Sequence, residues 1–194
     1  MVLAAGASRR LGRPKQTLVL GGETLAERAV RVAFEAELSP VIVVLRGEDE
    51  MSARLLERGC VVVMNEQAEE GMAASIRCGV ERARETGVDG VVVMACDQVR
   101  LRAEHLRALV GDGGRVAGSE YAGKVGIPSY FPAASFGELL ALQGDVGARG
   151  LLRGCAAVVD EGLALDVDTE ADVLRGRRAL SPARTGRAKS CADG

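Results

Sequence analysis

Four cationic side chains, Arg9, Arg10, Arg13 and Lys15, crowd a segment in which no acidic residue occurs before Glu23. They follow or overlap Leu3-Ala4-Ala5-Gly6-Ala7-Ser8, a run with almost no side chain, where a ligand can approach the backbone and meet successive N–H donors. Such a loop, with Arg10 and Lys15 beside it, suits a polyphosphate. It is not a Walker A motif, because Gly12 is followed by Arg13-Pro14-Lys15. Nor is it a dinucleotide fingerprint, since Gly6 and Gly12 do not fit G-x-G-x-x-G. On spacing alone, a glycine-rich turn with solvated basic residues fits equally well.

Two carboxylates complement this loop. Asp97 ends the apolar run 91–96, and Asp168 precedes Thr169-Glu170-Ala171-Asp172. Each is open to two readings, a cap for the following helix or a metal ligand. If both lie near the loop, they form the set that phosphoryl-type chemistry needs. Mg²⁺ takes one or two protein carboxylates and completes its shell with phosphate oxygens and water. No histidine is needed for that chemistry. The chain has one, His105, whose helical setting predicts a surface or partly packed role. Asp145 and Arg149, four apart, are equally consistent with a pair on a helix. Met72 and Met94 read as core filler, and Arg77 and Arg82 as a solvated helix face.

Composition removes several alternatives. In 194 residues, 25 Lys and Arg stand against 27 Asp and Glu, so no net basic field favours nucleic acid. Aromatics are 3% with no Trp, which supplies few stacking platforms. No apolar run approaches the ~20 residues of a membrane helix, and the apolar start is too short for a signal peptide. The cysteines, at 60, 78, 96, 155 and 191, lack the close pairs of a zinc site or the density of a disulfide scaffold. Cys60, Cys96 and Cys155 adjoin apolar runs and read as small core residues in a reducing, cytoplasmic setting.

The elements that must position these groups follow from apolar periodicity. Short valine-rich runs at 2–5, 41–45, 60–64, 90–95 and 156–159 predict parallel strands buried on both faces. Amphipathic stretches at 24–37, 50–58, 72–85 and 102–110 alternate with them. The expectation is an α/β, Rossmann-like three-layer sandwich with a mostly parallel central sheet. Residues 113–132, rich in Gly, Tyr and Pro, predict an irregular hairpin at the sheet edge. One domain over 1–179 is expected, followed by a disordered basic tail over 180–194. Ligands of such sheets bind beyond the carboxyl ends of the strands, which is where the loop, Asn65, Gly71, Ser75 and Asp97 fall.

Taken together, Leu3-Ala4-Ala5-Gly6-x-Ser8-x-Arg10-Leu11-Gly12-x-Pro14-Lys15 resembles the opening signature of nucleotidyltransferases that act on molybdenum cofactor. Ala5, where the guanylyltransferase (MobA-like) branch has a second Gly, is similar to the cytidylyltransferase (MocA-like) branch and implies CTP over GTP. Asn65 with residues 70–79 resembles the motif that holds base and ribose. Asp97 matches the metal-binding aspartate, residues 126–131 and 144–152 are similar to acceptor-side segments, and 166–172 to the closing motif with Asp168 as second ligand. The resemblance implies a nucleotide-diphospho-sugar-transferase-like fold. It also implies nucleotide binding by Leu3, Ala4, Ala5, Gly6, Ser8, Arg10, Lys15, Asn65, Gly71 and Ser75. Arg10, Lys15 and Asp97 would be catalytic, and Asp97 with Asp168 would hold Mg²⁺. The implied acceptor is molybdopterin bearing molybdenum, with another phosphorylated acceptor, such as a sugar phosphate, or delivery to a molybdenum hydroxylase as alternatives.

Overall fold

The protein is described here by a computed structural model, covering residues 1–181 apart from Arg9, Asp49 and Val146. The expected basic tail lies, from residue 182 on, outside the described residues. The chain opens with β1 (Val2–Leu3), a small hairpin of β2 (Val19–Leu20) and β3 (Glu23–Thr24), and α1 (Leu25–Glu35). There follow β4 (Ile42–Leu45), α2 (Glu50–Glu57), β5 (Val61–Met64), α3 (Met72–Glu85), β6 (Gly90–Ala95) and α4 (Ala103–Val110). The remainder is β7 (Ala117–Tyr121), β8 (Lys124–Pro132), α5 (Phe136–Leu140), β9 (Ala156–Val159) and α6 (Glu170–Leu180). Leu180 closes the last helix and packs on the core, so the folded part runs one residue past the expected boundary.

Seven of these strands form one sheet in the order β5-β4-β1-β6-β8-β7-β9. The half β5-β4-β1-β6 is parallel, as the uninterrupted valine runs predict. β8 is antiparallel to both β6 and β7, and β9 pairs parallel with β7. The hairpin expected at the edge is therefore interior. β9 covers its outer side, a long-range pairing that no local pattern in 113–132 reveals.

Alternate residues of the central strands feed two cores. Val43, Val92 and Met94 pack with α1, α2 and α4 on one face, while Ile42, Val44, Val91 and Val93 pack with α3 and α5 on the other. This is the three-layer arrangement. α1 starts at a capping box, with Thr24 accepting from the Glu27 N–H at 3.2 Å and Glu27 accepting from the Thr24 N–H at 3.0 Å.

A third, smaller cluster matters most for the site. Leu11, Leu18, Leu20 and Leu25 pack against Val99, Val167 and Val173. It clamps the basic loop after β1, the segment after β6 and the entry to α6 onto one another.

Candidate active site

The opening loop leaves the sheet after Ala4, whose N–H donates to the Val44 carbonyl at 2.9 Å. Ala4 and Ala5 are buried, Gly6 and Ala7 exposed. A Cβ on Gly6 would meet nothing within 4 Å, so the backbone there faces open space. Ser8 takes a left-handed φ of 48°, and its carbonyl accepts from the N–H groups of Leu11 and Gly12, each at 3.1 Å. Its hydroxyl accepts from the Lys15 N–H at 3.0 Å. The turn thus returns the chain so that Lys15 enters the cleft beside the loop.

There the Lys15 ammonium donates to Asp168 Oδ1 at 3.0 Å and, more closely, to Asp97 Oδ2. Arg10 donates to Asp168 Oδ2 at 2.6 Å. Burial works against the ammonium, but the two carboxylates outweigh it and hold Lys15 above its ordinary pKa. Asp97 and Asp168 come together through backbone. The Val167 N–H donates to the Asp97 carbonyl at 3.1 Å, and Gln98 bridges Asp166. Asp166, close by, is pushed up by burial and by the Asp97 charge.

Neither carboxylate caps a helix. Arg102 stands at the N-cap of α4 and makes no side-chain cap bond. At α6 the cap is Thr169, which forms a capping box with Asp172. Both aspartates are left for the cleft.

The cleft has a volume of about 390 Å³. Leu3, Ala4, Ala5, Gly6, Ser8, Arg10 and Lys15 line it together with Asp97, Asp168, Gly71 and Ser75. Asn65 stands behind this surface. Its amide donates to the Ser75 hydroxyl at 2.9 Å, and its oxygen accepts from the Gln67 N–H at 3.0 Å. It therefore positions Ser75 and the turn into α3 from a buried place.

Gly71 adopts φ 112°, and a Cβ there would overlap the Asp145 carboxylate and the Gly144 backbone. The Gly144 carbonyl in turn accepts from the Ala73 N–H at 3.1 Å, satisfying a free donor of the first turn of α3. So the 144–145 loop is seated against the start of α3, and Asp145, exposed in a turn and not on a helix, borders the cleft.

Several residues were not legible as site residues. Arg46, just past the end of β4, pairs with Glu69 at 2.9 Å; both line the cleft, as does Gln16. Arg46 does end an apolar run, the signal that singled out Asp97. Met72 is 43% exposed and lines the cleft, whereas Met94 is the expected core residue. Arg77 lies outside the cleft, donating to the Leu142 carbonyl at 2.7 Å and to Glu70 at 3.0 Å. Cys96 also borders the cleft, but burial pushes its thiol up to about 12, which leaves it protonated and a poor nucleophile.

His105 is buried and interacts with the Ser119 hydroxyl at 2.7 Å. Ser119 donates to the Pro128 carbonyl at 2.6 Å, and Tyr121 and Gln98 donate to the Ile127 carbonyl at 2.9 and 3.0 Å. These bonds fix the 127–128 segment beside Asp97. The serine is fully buried and its proton is committed to a carbonyl, so the Ser–His contact is structural.

Among known proteins, the chain is 34% identical over 195 residues to the purine catabolism protein PucB of Bacillus subtilis (strain 168), covering 92% of this chain and 95% of that one. It is 41% identical over 102 residues to a probable molybdenum cofactor guanylyltransferase of Opitutus terrae, covering 53% and 48%. In three dimensions it is similar to Rv0371c from Mycobacterium tuberculosis H37Rv, with 34% identity, a TM-score of 0.77 and coverage of 91% and 95%. A manganese complex of Rv0371c aligns at 30% identity with a TM-score of 0.69, covering 92% and 96%. Residues 1–161 match the MobA-like NTP transferase domain, a stretch that takes in the loop, Lys15, Asp97 and the 127–128 segment. A match of that extent decides the matter: the chain belongs to the family of MobA-like NTP transferase domains.

Proposed function

We propose that the protein transfers CMP from CTP to a phosphate-bearing acceptor, molybdopterin carrying molybdenum, and releases pyrophosphate. One observation carries this reading: Lys15 meets both Asp97 and Asp168 in the same cleft as the small-residue loop. The exposed backbone of Gly6 and Ala7, with Ser8, Arg10 and Lys15, would receive the triphosphate. Leu3, Ala4, Ala5, Gly71 and Ser75 would border the nucleoside, with Asn65 holding Ser75. The acceptor would enter on the side of the 127–128 and 144–145 segments.

Two carboxylates close enough to share one ammonium are a hard-oxygen donor pair, and they fit Mg²⁺ or Mn²⁺ better than a soft metal. Asp97 and Asp168 would hold the ion, which when bound would neutralise charge on the transferred phosphoryl group and on the departing pyrophosphate. The manganese complex of Rv0371c supports a divalent ion in this fold.

In the reaction an acceptor phosphate oxygen attacks the α-phosphorus in line, a new P–O bond forms, and the bond to the β-phosphate oxygen breaks. The acceptor phosphate is already anionic near neutral pH, so no general base is needed. Lys15 and Arg10 follow the charge onto the leaving group, and the rest of the site supplies orientation.

The choice of CTP rests on Ala5. It is buried beside the cleft, at the position where the resemblance gives the guanylyltransferase branch a second glycine. The test measures pyrophosphate release from CTP and from GTP, each with and without molybdopterin. Acceptor-dependent release from CTP is expected; release equally fast without acceptor, or from GTP alone, rejects this reading. A second reading, delivery of finished cofactor to a molybdenum hydroxylase without turnover, draws on the similarity to a protein named for purine catabolism. It expects cofactor binding and no pyrophosphate in the same assay.

A further inference from the structure

The two carboxylates assigned to the metal already share a cation. Lys15 joins both of them, and Arg10 adds a second positive charge on Asp168. Lys15 and Arg10 therefore offset the charge of these two carboxylates, with Asp166 a third acid close by. A divalent ion arriving alone meets carboxylate oxygens that two cationic side chains already engage. It must displace an ammonium held by two partners, and a partly buried, paired cluster resists that exchange.

Lys15 is built to move. Its backbone is fixed through the Ser8 hydroxyl, but its ammonium sits on a flexible four-carbon stem next to the open face of the loop. A triphosphate on that loop competes directly with the aspartates for the same ammonium. Arg10, 73% exposed, is freer still.

Resting on the nucleotidyltransferase reading of the site, we infer that Lys15 is a placeholder that occupies Asp97 and Asp168 in the nucleotide-free protein and yields them when a triphosphate claims its ammonium. Metal and nucleotide then bind with positive coupling. Metal alone is held weakly, and the complete constellation assembles only with nucleotide present. Linkage makes the effect reciprocal.

The test reads Mn²⁺ alone, by electron paramagnetic resonance of the free ion, on nucleotide-free protein. Lys15→Met is expected to bind Mn²⁺ at least about tenfold more tightly than wild type, the ratio that ~1.4 kcal/mol of relieved competition produces. Arg10→Gln, which removes a mostly exposed partner, should tighten binding less. Adding Asp97→Asn to Lys15→Met should abolish the gain, which locates the ion. A folded Lys15→Met protein that binds Mn²⁺ no better than wild type overturns the inference. If Lys15→Met does not fold, Lys15→Gln with its thermal midpoint followed against Mn²⁺ at constant ionic strength decides: a rise beyond that of wild type supports the placeholder, and an equal response overturns it. Wild-type protein that gains stability from CTP with Mn²⁺ while Lys15→Met gains nothing for Mn²⁺ alone defeats the placeholder only. Wild type that responds to no nucleotide under any condition defeats the underlying reading.

Discussion

At the scale of single residues, the proposed function gives each charged group a distinct task. Lys15→Ala and Asp97→Ala should each lower the rate of transfer by about 10²–10³, the loss seen when one preorganised charge is removed from a reacting centre. Circular dichroism should show both proteins folded, and a fully active Asp97→Ala enzyme would refute the metal assignment. Ala5→Gly should shift the CTP:GTP ratio of kcat/KM toward GTP by about tenfold or more, since one methyl in a pocket is worth ~1–3 kcal/mol. An unchanged ratio would move base selection elsewhere, with Arg46 and Glu69, which also line the cleft, the next pair to examine. The residues at this scale were legible because strand ends in a parallel sheet are where ligands bind. Arg46 shows the limit: an arginine after an apolar run reads as an ordinary surface charge until the cleft beside it is visible.

At the scale of elements, two capping boxes start α1 and α6, and the second follows directly on Asp168. Glu27 is buried under α1, bound to Thr24 and paired with Arg54 and Arg58. Burial alone would raise its pKa, but the Thr24 bonds and the two arginines leave it below the ordinary value. Asp172, held by Thr169 and Arg175, falls from 3.8 to about 2. Carboxyls lowered in the folded state stabilise it above their unfolded pKa, and that stability is lost as pH falls through the folded pKa. Thermal midpoints should therefore be flat above about pH 5 and drop as pH is lowered from 4 toward 2, with Asp172→Asn flattening the lower part of the curve. Glu27→Gln should cost about 1–3 kcal/mol in urea unfolding, because it removes the charge that Arg54 and Arg58 face. Gly71→Ala should be worse tolerated, since a methyl there meets the Asp145 carboxylate in a backbone conformation that L-residues avoid. If Gly71→Ala retains wild-type nucleotide-dependent stability, the seating of the 144–145 loop is not needed by the site.

At the scale of the whole molecule, a thermal-shift panel of CTP, GTP, ATP and UTP with and without Mg²⁺ should rank CTP with Mg²⁺ first. A ligand specific to the native state raises stability as RT ln(1 + [L]/Kd). Indifference to Mg²⁺ would favour a plain nucleotide-binding module. The sequence by itself determined the α/β class, the parallel half of the sheet, the starts of α1 and α3, and the candidates Lys15, Asp97 and Asp168. All of these follow from periodicity, chain order and side-chain chemistry, which are local. Only the tertiary structure decided that the hairpin of β7 and β8 is interior, that Asn65 supports Ser75 from behind, and that Asp145 and Arg46 reach the cleft. Above all, it brought Lys15 and Asp168 into contact across 153 positions of sequence. The agent is the cluster of Leu11, Leu18, Leu20, Leu25, Val99, Val167 and Val173, in which burial of apolar surface joins segments that carry no mark of one another.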